Sequence, residues 1–172
     1  MNVWITSDQH WGHSNIIKYT GRPYNDVHEM DADLIAKWNA LVGKEDIVWH
    51  LGDFCMGDKE RVRHYVSQLN GRVRLIKGNH DRYSANEYMN LGFDWCSGYP
   101  IIAFKYLILC HEPQFMPPNS IMGCVHGHIH QNTQGPSNAY FNVCVEHHDY
   151  SPVNLKDVEK HFRDANNQGE EF

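Results

Sequence analysis

Five short apolar runs in this chain each end, with no spacer, in residues that bind metal ions. Ile5-Thr6 runs into Ser7-Asp8-Gln9-His10, and Val48-Trp49-His50-Leu51 into Gly52-Asp53. Leu75-Ile76 runs into Lys77-Gly78-Asn79-His80-Asp81, and Leu107-Ile108-Leu109-Cys110 into His111. Cys124-Val125 runs into His126-Gly127-His128-Ile129-His130. In open α/β sheets, ligands bind just beyond the carboxyl ends of the strands. A chain built this way is constrained to a fold that brings five strand ends to one place. Glycines at 52, 78 and 127 allow the sharp turns and close approaches that such a gathering needs.

The rest of the pattern supplies the scaffold. Asn2–Thr6 reads as a strand, and 27–42 as a helix with Met30, Leu34, Trp38 and Leu41 spaced by three or four. Asp26 and Glu29 read as a capping box, and Gly43 as a stop. Asp46–Leu51 is a strand, 58–69 a helix with Val62, Tyr65, Val66 and Leu69 on one face, Val73–Ile76 a strand and 84–91 a short helix. Four further strands follow at Ile101–Phe104, Tyr106–Cys110, Met122–Val125 and Tyr140–Val145, with surface loops at Glu112–Ser120 and Gln131–Ala139. A closing helix is expected over 154–163. The expected organisation is one domain over 1–163 and a polar tail over 164–172. The order βαβαβα followed by a β-rich half fits an α/β sandwich.

Composition narrows the function. A net charge of −6 argues against a general nucleic-acid coat. The apolar runs are too short to span a bilayer, and Met1-Asn2-Val3-Trp4-Ile5 lacks the basic start of a signal peptide. Five cysteines with no C-x-x-C pair argue against a disulfide framework or a cysteine zinc site, so a reducing, cytoplasmic setting is expected. Histidine is the outlier at 13 residues, and imidazole is both the commonest metal ligand and the acid–base group of neutral pH.

The motifs occur in a fixed order: Asp8-x-His10, Gly52-Asp53, Gly78-Asn79-His80-Asp81, a lone His111 after a strand, and Gly127-His128-x-His130. Together they resemble the calcineurin-like metallophosphoesterases over roughly residues 3–163. The likeness is strongest to the small, capless members of bacteria and phages, through Ser7–Ile17, Trp49–Phe54 and Tyr150-Ser151-Pro152-Val153. The resemblance implies an αββα sandwich of two mixed β-sheets flanked by helices. It implies two metals, one held by Asp8, His10, Asp53 and His130, the other by Asp53, Asn79, His111 and His128, with Asp53 shared. A mixed imidazole and carboxylate shell suits divalent Mn, Fe, Ni or Zn better than Mg or Ca, with manganese expected first. The absence of thiolates disfavours a structural zinc site.

The expected chemistry is in-line attack on phosphorus by a hydroxide shared between the metals. The resemblance makes His80 the group that protonates the leaving oxygen or bonds the phosphoryl oxygens, with Asp81 orienting it. His13, Asn15, His50 and Arg82 are candidate substrate contacts. His13 and Asn15 could equally bond loop backbone, and His50 could be an interior histidine. Trp11 is either a base-stacking residue or part of the core. Glu112-Pro113 after His111 departs from many relatives and alters the pocket there.

No insertion is large enough for a cap, so an open site that admits phosphodiesters is expected. The expected substrate is a small phosphodiester such as a cyclic nucleotide. The alternatives are a nuclease of the same fold, a phosphomonoesterase or, last, a non-catalytic scaffold. Nucleic acid is expected only as a substrate and no membrane partner is expected. The sequence leaves the oligomeric state open.

Overall fold

The structure, a computed structural model, describes residues 1–117, 120–135 and 138–167. The first three apolar runs become parallel strands β1 (Val3–Thr6), β2 (Ile47–His50) and β3 (Arg72–Ile76). Parallel neighbours need a crossover. Here the crossovers are α1 (Ser14–Thr20) with α2 (Val27–Leu41), and α3 (Lys59–Val66). Helix α4 (Ala85–Leu91) leads to a fourth parallel strand, β4 (Trp95–Ser97), and β9 (Val153–Asn154) closes the other edge antiparallel to β1. The sheet order is β4-β3-β2-β1-β9. Thr6 pairs with His50 and His50 with Leu75, so three carboxyl ends finish level.

A second sheet, β5-β6-β7-β8, is built from Ile101–Ala103, Leu107–Cys110, Gly123–His126 and Tyr140–Asn142. Its last three strands are parallel and β5 is antiparallel. Alternation of side chains across the strands divides the core. Val48, Val73 and Leu75 face the helices, joining Leu34, Trp38, Val62 and Tyr88. Ile5, Trp49, Leu51 and Ile76 face the second sheet, meeting Leu107, Leu109, Val125 and Val143, with Val158 and Phe162 of helix α5 (Leu155–Asn167). Leu109 is fully buried between the sheets, so Leu109→Ala should cost about 2–5 kcal/mol. No helix among the described residues is long and apolar enough to cross a membrane.

Several boundaries differ from the sequence reading. Helix α1 and the strands β4 and β9 were not expected. The run to Val145 pairs with β7 over Tyr140–Asn142 and bridges to Ser7 at Cys144, then turns into a 3-10 helix at Val145–His147. Helix α5 continues to Asn167, beyond the expected 163, and 168–172 lie outside the described residues. Parts of the two expected loops, 118–119 and 136–137, also lie outside them. Asp26 caps α2 by accepting from His28 and Glu29 N–H, but Glu29 accepts from Asn25 N–H instead of closing a box with Asp26. The reciprocal box forms at Ser84 and Glu87, which start α4.

Candidate metal centre

The strand-end loops are tied to one another by their backbones. Asp8 N–H donates to Gly52 O at 3.0 Å, His10 N–H to Asp53 O at 3.1 Å, and Gly127 N–H to His111 O at 2.9 Å. Gly52 has φ 98°, and a Cβ there would lie 2.6 Å from His111 Nδ1 and overlap the backbone of Gly78. A Cβ on Gly127 would overlap Ser7 and the Asp8 carboxylate. Only glycine allows the loops this close.

The candidate ligands themselves adopt unusual backbone conformations. Asp8, His10, Asp53, His128 and His130 have φ of 63°, 54°, 55°, 72° and 49°. Left-handed non-glycine residues cost of order 1–3 kcal/mol each and persist where the surroundings over-determine them. Five of them converging on one spot mark it as built for something other than stability.

Two groups of side chains meet there. Asp8, His10 and His130 form one, and Asp53, His111 and His128 the other, with candidate ligand atoms within 4.8 Å of each other in each group. Asp53 Oδ2 also lies 3.5 Å from His10 Nε2 and 3.5 Å from His111 Nε2, so one carboxylate oxygen faces both groups. Asn79 Oδ1 is 3.0 Å from His111 Nε2, and His128 Nδ1 is 3.1 Å from the same nitrogen.

The hydrogen bonds show what these atoms lack. His111 Nδ1 meets the Leu51 carbonyl at 2.8 Å, which assigns its proton to that side and leaves Nε2 a bare lone pair. That lone pair faces the Asn79 carbonyl and the Asp53 carboxylate, acceptors with no proton between them. His130 Nδ1 meets Glu146 Oε1 at 3.0 Å, which likewise turns Nε2 toward Asp8 Oδ1 at 3.9 Å. Asp8 Oδ1 and both His10 nitrogens are buried without a hydrogen-bond partner among the described residues. A convergence of acceptors with at most the His128 ring N–H to share among them fits divalent cations in both groups, and the nitrogen-rich donor set suits transition metals.

Among the described residues, two grooves that share no lining residue reach this centre. One, of about 500 Å³, runs from His10, His80, His128 and His130 between α1 and residues 131–134. The other, of about 300 Å³, runs from Asn79 and His111 past Tyr99. A separate depression of about 380 Å³ beside Tyr106, Met122 and Phe162 contains none of the candidate ligands.

The sequence profile of calcineurin-like phosphoesterases matches residues 1–169. The chain is a calcineurin-like phosphoesterase. Uncharacterized protein MJ1445 of Methanocaldococcus jannaschii is 32% identical over 162 residues, covering 89% of this chain and 86% of that protein. Gene 66 protein of Mycobacterium phage L5 is 43% identical over 83 residues, 46% of this chain and 40% of that protein. The crystal structure of the protein of unknown function AQ665 from Aquifex aeolicus superposes with a TM-score of 0.70 at 24% identity, covering 92% of this chain and 98% of that one. This likeness concerns the fold.

The phosphoesterase orients its first group of ligands with two residues that the sequence did not single out. Arg22 is buried and donates to Glu146 Oε1 from Nη2 at 2.7 Å and from Nε at 3.1 Å. It also donates to the Asp8 and Gln9 carbonyls, each at 2.7 Å. One guanidinium therefore holds both the strained Asp8 backbone and the carboxylate behind His130. Burial opposes ionisation of Glu146, but the His130 hydrogen bond and Arg22 outweigh it and lower its pKa. Burial likewise opposes charge on His130, and Glu146 and Asp8 overcome it, raising its affinity for a proton. Glu146 does follow an apolar run, Val143-Cys144-Val145, so the strand-end signature was present a sixth time.

Asp81 does not contact the His80 ring among the described hydrogen bonds. Its carboxylate accepts from Asp53 N–H and Gly78 N–H at 2.8 Å, from Phe54 N–H at 3.2 Å, and from the Tyr88 hydroxyl at 3.3 Å. It staples the Asp53 and Gly78 loops together. Burial, opposed by those backbone donors and reinforced by the Asp53 charge, pushes its pKa up to about 6. His80 stands at the edge of the centre with 39% of its side chain exposed, its Nε2 3.9 Å from Asp53 Oδ2 and its N–H donating to Asp53 Oδ1 at 2.9 Å.

The candidate substrate contacts separate clearly. His13 lines the larger groove. Asn15 is exposed on α1 and lines neither groove, and Arg82 is exposed and also lines neither. His50 is fully buried among Trp11, Trp38 and Phe54, with Nδ1 accepting from Gly52 N–H at 3.2 Å. Contact with a substrate is closed to it. Burial, only partly offset by Asp8, drives its pKa down to about 3, so it is an interior neutral histidine. Trp11 and His126 are also fully buried.

Proposed function

We propose that this phosphoesterase hydrolyses phosphodiesters, with a small diester such as a cyclic nucleotide as its substrate, using two divalent transition metals. The observation that carries the diester reading is the pair of grooves, which reach the ligand side chains from different elements without a common wall. A diester has two substituents to seat, and a monoester has one.

Asp8, His10 and His130 would hold one cation, and Asn79, His111 and His128 the other, with Asp53 serving both. When bound, such a pair supplies Lewis-acid charge and lowers the pKa of water. The chain's own residues do the rest. Asp53 faces both groups through one oxygen and holds the His80 loop through the other. His80 stands where the larger groove opens, positioned to donate a proton to a leaving oxygen or to bond a phosphoryl oxygen. Asp81 fixes the loops that carry Asp53 and Asn79. Manganese is the metal we expect, and the cytoplasm the setting.

The test is hydrolysis of bis(p-nitrophenyl) phosphate beside p-nitrophenyl phosphate, a cyclic nucleotide and an end-labelled oligonucleotide. Each is assayed with Mn, Fe, Ni and Zn. Faster turnover of the small diesters, greatest with Mn, is expected. Preference for the monoester, or for the oligonucleotide alone, would replace this reading.

A further inference from the structure

The larger groove has a chemical character of its own. Beyond the shared histidines, its walls are Ile16, Tyr19 and Thr20 of α1 and the Gln131-Asn132-Thr133-Gln134 segment. Among the described residues, no Asp, Glu, Lys or Arg lines it. Ile16 is buried, giving an apolar floor, while Tyr19 is 69% exposed at the rim. The Tyr19 ring packs near-perpendicular to His13, with centroids 6.2 Å apart, and the rest of its surface is open. Among the described hydrogen bonds, none uses the side chains of residues 131–134. An aromatic platform opposite a row of free amides and a hydroxyl is matched to a flat, uncharged partner with donors and acceptors on its edge. A second phosphate would find no counter-charge there.

Building on the diesterase reading, we infer that this groove is a nucleoside subsite: the base stacks on Tyr19 and its edge bonds the 131–134 side chains. The reacting phosphate then lies at the ligand cluster. His80 lines the groove, so the nucleoside is the side that leaves, and the proton His80 donates goes to its departing sugar oxygen. The substrate class is a nucleoside phosphodiester bearing a single phosphate. Polyphosphates and longer strands are disfavoured by the neutral wall.

Two measurements on the full chain test this. The first compares kcat/KM for a dinucleoside monophosphate with that for bis(p-nitrophenyl) phosphate, in the wild type, Tyr19→Ala and Tyr19→Phe. Base–aromatic stacking predicts that Tyr19→Ala lowers the ratio by about tenfold, through KM, and that Tyr19→Phe restores it. The second follows adenosine binding to chelator-treated protein by saturation-transfer NMR. Transfer to the base protons is expected in the wild type and not in Tyr19→Ala. An unchanged ratio, an equal loss on both esters, or adenosine signals that ignore Tyr19 would overturn the subsite. Hydrolysis of bis(p-nitrophenyl) phosphate with an unchanged ratio would reject the subsite and leave the diesterase reading standing. Absence of any diester hydrolysis, with adenosine still bound at Tyr19, would reject that reading and leave the subsite.

Discussion

The two groups of candidate ligands sit side by side yet are held by different physics. Asp8, His10 and His130 are backed by charge: Glu146 grips His130, and Arg22 grips both Glu146 and the Asp8 backbone. In the group of Asp53, His111 and His128 the imidazole of His111 is backed by neutral groups, since the Leu51 carbonyl fixes its proton and the Asn79 amide faces its free nitrogen, while the Asp81 carboxylate holds only the Asp53 backbone. A carboxylate behind an imidazole makes it more basic, whereas a carbonyl mainly orients it. The two positions should therefore differ in how tightly they hold a cation and in how they respond to loss of their supports.

The largest effect should come where the difference vanishes. Asp53→Asn removes the one charge facing both groups. Metal analysis of the purified variant should show both equivalents gone, with hydrolysis at background. Retention of either equivalent would mean that the groups are independent. His80→Ala should leave metal content intact and lower kcat by roughly 10²–10⁴-fold, because it serves neither group as a ligand. A fall in bound metal would show that His80 is a ligand after all.

Smaller effects should separate the groups. Glu146→Gln keeps the size of the side chain and removes its charge. Competition against a chromophoric chelator should show one equivalent weakened by about 10–100-fold and the other unaffected. Equal weakening of both would erase the distinction. Beneath both groups, His50 gives the mildest signature. Its pKa falls from 6.5 to about 3 in the folded chain because burial disfavours the cation. Above pH 6.5 it is neutral folded or unfolded and has no influence. Below that, the unfolded chain takes up a proton that the folded one refuses, so stability declines by at most about 1.4 kcal/mol per pH unit toward pH 3. Urea unfolding of metal-free His50→Phe between pH 6.5 and 4 should show a shallower decline than the wild type.

The sequence exposed one of these two support systems far better than the other. Ligand-type residues at five strand ends were readable because a parallel sheet delivers its carboxyl ends to one side. The Gly52 and Gly78 turns belong to the same logic. Arg22 was not, since a lone arginine carries no local pattern; Glu146 did follow an apolar run, but nothing local tied it to an arginine 124 positions away. Asp81 was assigned to its neighbour His80, and the fold gave it to the backbone of a different loop. His50 lies within a strand, and only the packing of Trp11, Trp38 and Phe54 around it shows that it faces inward.

Elements were lost for a related reason. Helix α1 has seven residues, a single buried side chain and no side-chain cap, so periodicity has nothing to work on. Strands β4 and β9 have three and two residues, too few for alternation to register. Short elements owe their form to their neighbours, and α1 supplies a wall of the larger groove.

The tie from Asp8 through Arg22 to Glu146 joins the first strand to the last quarter of the chain. During synthesis the amino-terminal half emerges with its carboxylates and imidazoles unbraced, and the knot closes only after residue 146 has left the ribosome. A contact of such long range forms late in folding. A fragment released before Glu146 would lack the clasp that holds His130 and the Asp8 backbone.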